Sequence, residues 1–263
     1  MSKYILMFLL CVQMINAEDL GVEEKLGSYV PLDLTFINEQ SKSVTLRKLM
    51  DGKPTLLTLN YFKCAGICTP QLNDMAAMLS RLHIAENTDY KVVTVDFAED
   101  EAVALAKAKK KNILKSMTRN FVSDAWHFVI GENNSSGKLA DAVGFEYKKV
   151  VQKNGDVGYI HGATLVVLSP TGKITRYLSG IEQLSADVKL AILEASKEEV
   201  TPTIAKNSPY CFTKTPDGDL LVGKIEKAWA IFMLSVILGF FIYLVKTSKR
   251  KSNNSSEIKE EIE

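Results

Sequence analysis

The chain is poor in cysteine, poor in histidine and nearly neutral, and each shortage narrows what it can be. Four cysteines in 263 residues are too few to staple a small scaffold, so the fold has to rest on a hydrophobic core. A formal net charge of +1 supplies no large field of one sign, which leaves nucleic-acid binding without electrostatic support. Hydrophobic residues make up 46% of the chain and charged residues 24%, a composition that builds a core and not a disordered segment. Only His83, His127 and His161 can offer an imidazole.

Two segments read as lying outside the fold. Residues 1–17 run from the basic start at Lys3 through an apolar stretch to Ile15-Asn16-Ala17, ahead of the acidic Glu18-Asp19. That is the pattern of a cleavable secretory leader, with cleavage expected after Ala17 and Cys11 lost with it. Its apolar part is shorter than the roughly 20 residues that span a bilayer. Residues 228–245 (AWAIFMLSVILGFFIYLV) carry no charge, place Trp229 and Tyr243 near their ends, and precede Lys246, Lys249, Arg250 and Lys251. This reads as one C-terminal transmembrane helix with its positive flank on the cytoplasmic side. Residues 246–263 are then a cytoplasmic tail. Residues 18–227 are expected outside the cytoplasm, most simply in a bacterial periplasm, held at the inner membrane by a single C-terminal anchor.

Within the exported part, residues 18–196 form the folded domain and residues 197–227, polar and carrying Pro202, Pro209 and Pro216, a linker. Residues 34–37 and 43–46 predict a hairpin. Residues 55–61 and 91–96 are apolar-rich runs of strand length, as expected of strands buried on both faces. Leu72, Met75, Ala76, Met78, Leu79 and Leu82 recur at helical spacing after Cys68, so those methionines belong to the core. A second helix is expected over residues 99–118, with an acidic first turn and a solvated lysine face formed by Lys107, Lys109, Lys110, Lys111 and Lys115. A strand at 126–130, a short helix at 136–143, an extended piece at 147–151 before the hairpin signal Asn154-Gly155, a second hairpin over 163–178 and a closing helix at 185–196 complete the order. Strands alternating with helices and ending in a hairpin imply an α/β sandwich with a mixed sheet, an order that fits thioredoxin topology.

The chemistry concentrates in Cys64-Ala-Gly-Ile-Cys68, two thiols four positions apart where a buried strand turns into a helix. With Cys68 at the helix start, the helix dipole is expected to favour thiolate and lower the thiol pKa. Thiolates are soft donors suited to Cu(I), and an added imidazole makes a site that also holds Cu(II). His161 stands in Gly158-Tyr-Ile-His161-Gly-Ala, a glycine-flanked loop before a strand, but on the residues alone a single loop histidine specifies little. His127 reads as structural and His83 as a surface residue. Cys211 lies in the linker and its role stays open.

The stretch Tyr61-Phe-Lys-Cys64-Ala-Gly-Ile-Cys68, the strand ending Val95-Asp96, and the His161 loop followed by Val167-Leu-Ser-Pro-Thr-Gly172 together resemble the Sco/SenC family over about residues 34–196. The resemblance implies a thioredoxin-like domain that binds copper through Cys64, Cys68 and His161. It also implies a client, the copper-site subunit of cytochrome c oxidase or another copper protein, and places the acidic Asp96 near the site. The chain departs from the family pattern at Ala65 and Thr69, where proline is common after each cysteine, at Phe97 for proline, and at Ile160 for aspartate. Its anchor is at the C-terminus, where family members are commonly anchored at the N-terminus.

Two other functions use the same residues. A thiol-disulfide oxidoreductase would need only the redox pair Cys64 and Cys68, although the three-residue spacer departs from the two-residue spacer of thioredoxin. A peroxidase of the peroxiredoxin type lacks its Thr/Pro-flanked single cysteine here. Copper chaperone is the expectation carried forward.

Overall fold

The computed structural model describes residues 22–64, 68–98, 101–151, 157–203, 233–243 and 245. The expected leader, Cys11, Cys211, most of the expected linker and the expected tail lie outside them.

The domain is built on a seven-stranded mixed sheet. Its strands are β1 (Thr35–Ile37), β2 (Ser43–Thr45), β3 (Thr55–Asn60), β4 (Lys91–Asp96), β5 (Trp126–Gly131), β8 (Thr164–Leu168) and β9 (Ile174–Ser179). They lie in the order β2-β1-β5-β4-β3-β8-β9, and β6 (Tyr147–Val151) with β7 (Val157–His161) forms a separate two-stranded sheet. The central strands β3, β4 and β5 are parallel, and antiparallel strands flank them on both sides. The helices are α1 (Leu46–Met50), α2 (Cys68–Ser80), α3 (Val103–Ser116), α4 (Ser135–Ala142) and α5 (Ser185–Ser196). This is the mixed α/β, thioredoxin-like arrangement expected from the sequence. Leu46, expected to end a hairpin strand, instead opens the short helix Leu46–Met50. Thr45 begins it, its hydroxyl accepting the Lys48 amide, and Asp51 ends it in the left-handed region.

Successive strand residues face opposite sides, so the continuous apolar runs fill two cores at once. Leu56, Val92, Trp126 and Phe128 pack with Leu72, Met75 and Met78 of α2 and with Val188, Ala191 and Ile192 of α5. Leu57, Leu59, Val93, Val95 and Val129 pack on the other face with Leu46, Leu49 and Met50 of α1 and with Leu139 and Ala140 of α4. The α2 methionines are core, as their spacing predicts. The solvated lysine face is only partly so, because Lys110 turns inward and pairs with the buried Glu39. His127, on β5, stands 3.7 Å from that same carboxylate, a structural position.

Residues at both ends of the domain lie against β9. Gly27 donates its amide to Ile174 O at 2.8 Å, and the Thr201 amide reaches Thr175 O at 3.0 Å. Residues 233–243 are helical with exposed side chains. Among the described residues no helix is long and apolar enough to cross a membrane.

Candidate metal centre

The site forms where β3 ends and α2 begins, at the carboxyl ends of the parallel strands, where open α/β sheets leave a crevice for ligands. The β3 run is buried throughout, so the chain leaves the sheet at Asn60 and must turn at once. The Cys64 amide closes that turn on Tyr61 O at 3.2 Å, and Cys68 opens α2. Both cysteines are buried, and no disulfide joins them. Ala65, the first departure from the family pattern, lies outside the described residues. Thr69, the second, donates its hydroxyl to Cys64 O at 3.1 Å.

The sequence placed His161 in a glycine-flanked loop. The structure instead makes it the last residue of β7, in register with Tyr147 of β6. Gly158 and Gly162 misled that reading, since both glycines fit within or beside a short strand. The hairpin delivers the ring to the cysteines: the ligand atoms of Cys64, Cys68 and His161 all lie within 4.8 Å of one another. Cys68 Sγ stands 3.2 Å from His161 Nε2. His161 Nδ1 lies 2.8 Å from Gly162 O, and a carbonyl can only accept, so the proton sits on Nδ1 and the Nε2 lone pair faces the sulfurs. Burial lowers the His161 pKa and keeps the ring neutral. Two soft sulfurs and one neutral imidazole nitrogen make a donor set for a soft metal ion.

Burial reverses one expectation. The Cys68 thiol is pushed up to about 12, first by loss of water and then by the Cys64 sulfur beside it. Hydrogen bonds from the Tyr61 amide and the Asn60 side chain offset only part of this. The helix end was expected to lower this pKa, but Cys68 is fully buried and desolvation wins.

An aromatic shell surrounds His161 that the residue-by-residue reading missed. Its ring centroid lies 5.1 Å from Phe97, 5.8 Å from Phe145 and 6.0 Å from Tyr61. Tyr159 packs edge-on against Tyr61 at 5.1 Å, and Tyr147 lies 4.6 Å from Phe97. The period of two in Tyr159-Ile160-His161 was the available signal, putting Tyr159 and His161 on one face. Ile160, between them, is 51% exposed, so this departure from the family pattern faces outward and leaves the donor set intact. Phe97, another departure, supplies the shell with its nearest ring.

Asp96 lies outside the donor group. It ends β4 in register with Asn60, its Oδ1 accepts the Ala98 amide at 2.8 Å, and its Oδ2 makes no hydrogen bond among the described residues. Burial, and then the neighbouring Glu101 carboxyl, push its pKa well above the ordinary carboxylate range, so it holds a proton at neutral pH. From about pH 4 upward the unfolded chain releases this proton and the folded chain keeps it, so Asp96 erodes stability as pH rises, until its raised folded pKa is reached. Asp96→Asn is expected to flatten that slope and raise the thermal midpoint at pH 8 relative to wild type, with little change near pH 4. Parallel melting curves for the two proteins from pH 4 to 9 would refute it.

The SCO1/SenC family pattern matches residues 24–196, which contain the sheet, both cysteines and His161. The chain belongs to the SCO1/SenC family. A curated relative, the SCO1 protein homolog of Bacillus subtilis (strain 168), is 27% identical over 156 residues, covering 58% of this chain and 75% of that protein. Among solved structures, Arabidopsis thaliana ScoI with copper bound superposes with a TM-score of 0.50 at 19% identity, over 63% of this chain and 96% of that one. BsSco, described with a disulfide switch and as a member of the Sco family of cytochrome c oxidase assembly proteins, gives 0.50 at 23% identity, over 68% and 99%. At these identities the two structures speak for the fold. In this SCO1/SenC chain the donor set stands on its own geometry.

Proposed function

We propose that the chain is a membrane-anchored periplasmic copper chaperone that carries copper on Cys64, Cys68 and His161 to a client, the copper-site subunit of cytochrome c oxidase or another copper protein. The observation that carries the reading is the convergence of two thiol sulfurs and a lone-pair-bearing imidazole nitrogen within 4.8 Å. Copper in a solved structure of the same fold, and a relative described as an oxidase assembly protein, support the choice of cargo and client. The leader at 1–17, the apolar segment at 228–245 and the lysines after it support export with a C-terminal anchor.

The alternative, reduction of a client disulfide by the same cysteines, asks for a thiolate near neutral pH. The test loads the reduced full chain with Cu(I). One copper per chain, lost in the Cys64→Ser, Cys68→Ser double variant, is the expected result. A wild type that takes up no copper yet reduces disulfides would make the chain an oxidoreductase.

A further inference from the structure

The turn that carries Cys64 is gripped from α3 and the segment leading into it. Glu101 Oε2 accepts the Phe62 amide at 2.6 Å and Oε1 accepts the Lys63 amide at 2.9 Å, so one carboxylate holds the two residues immediately before Cys64. Beyond the cysteine motif, Lys109 Nζ donates to Thr69 Oγ1 at 3.2 Å, and the Thr69 hydroxyl donates to Cys64 O. Cys68 is fixed differently. It opens α2, whose Leu72, Met75, Met78 and Leu79 are locked in the core.

This asymmetry bears on what the two sulfurs can do. They lie within 4.8 Å of one another as thiols, whereas a disulfide requires about 2.05 Å. Because α2 is held by the core, any backbone movement that helps the sulfurs close falls to the Cys64 turn. That movement has to strain or break the hydrogen bonds to Glu101.

We propose that Glu101 is a positioning residue whose two-oxygen grip on the Phe62 and Lys63 amides holds the Cys64 turn in the dithiol arrangement and opposes closure of a Cys64–Cys68 disulfide. The consequence, a pair kept ready for metal, rests on the chaperone reading. In oxidation by glutathione disulfide the two thiols give up two electrons and two protons, one disulfide bond forms in the protein, and two glutathione thiols are released.

The experiment equilibrates the metal-free full chain in glutathione buffers, traps thiols by alkylation and quantifies the tryptic peptide 64–81, which contains both cysteines. Glu101→Gln keeps the size of the side chain but turns one acceptor into an NH2 that faces an amide donor. It is expected to shift the equilibrium about 10-fold toward disulfide, the scale of losing one charge-assisted hydrogen bond. Glu101→Asp, with both oxygens on a shorter stem, should recover part of the shift. Melting curves add a readout that general destabilisation would not produce: the Gln variant should lower the midpoint of the reduced chain more than that of the oxidised chain. An equilibrium within twofold of wild type, or equal losses in both redox forms, overturns the proposal. A wild type that takes up no copper would overturn the chaperone reading and leave the glutathione result standing.

Discussion

Replacing His161 with alanine is expected to abolish tight Cu(II) binding while leaving Cu(I) on the two cysteines. The neutral ring presents its Nε2 lone pair 3.2 Å from Cys68 Sγ, with Nδ1–H fixed on Gly162 O, so the nitrogen is aimed before any metal arrives. Cu(I) is well served by two soft sulfurs, whereas Cu(II) gains from the nitrogen donor. Loss of groups that merely orient a ligand costs about 10- to 100-fold in metal affinity, and loss of the ligand itself should exceed the upper end of that range. Absorption titration of the full chain reads the outcome directly. The thiolate-to-Cu(II) charge-transfer bands of wild type should be missing in His161→Ala, while competition against a Cu(I)-selective chelator should change far less. An alanine variant that keeps its Cu(II) bands would remove His161 from the donor set. The ring would then be one more member of the aromatic cluster around Phe97 and Tyr61.

Much of this site was legible because burial and periodicity are written locally. Residues 55–60 and 91–96 could hardly be anything but central strands, and the cysteines stand where such a strand ends. His161 was legible only through family resemblance. Asn154-Gly155 signals the hairpin that β6 and β7 form, but a lone histidine between glycines carries no local sign that this hairpin brings it to the cysteines. The aromatic shell was harder still, since Tyr61, Phe97, Phe145, Tyr147 and Tyr159 come from four separate stretches of chain and meet only in the fold. Glu101 gave no sequence signal beyond an acidic first turn, because its partners are backbone amides, which every residue has. The same blindness explains Lys110. In sequence it is one lysine of a run, and only the packing of α3 on β5 turns it toward Glu39. The thiol pKa failed for a related reason, since a helix start is visible in sequence and the depth at which it is buried is not.

Copper affinity is expected to rise steeply with pH. Copper binds thiolate, so Cys68 must give up its proton on binding, and with a thiol pKa of about 12 it carries that proton throughout the neutral range. Each unit of pH then favours the bound state by about tenfold through this one proton, or about 1.4 kcal/mol. From pH 6 to pH 9 the apparent Cu(I) affinity is expected to climb roughly 1000-fold. Proton release from Cys64 can only add to the slope. His161 does not oppose it, because burial lowers its pKa and favours the neutral ring that ligates. Chelator competition at fixed ionic strength from pH 6 to 9 measures the slope. A flat profile would mean that Cys68 is already a thiolate in the folded chain, and that the helix dipole at the start of α2 outweighs its burial. A slope beyond what the Cys64 proton alone can supply means that burial wins, and that acidification releases the cargo by returning a proton to a sulfur that water cannot reach.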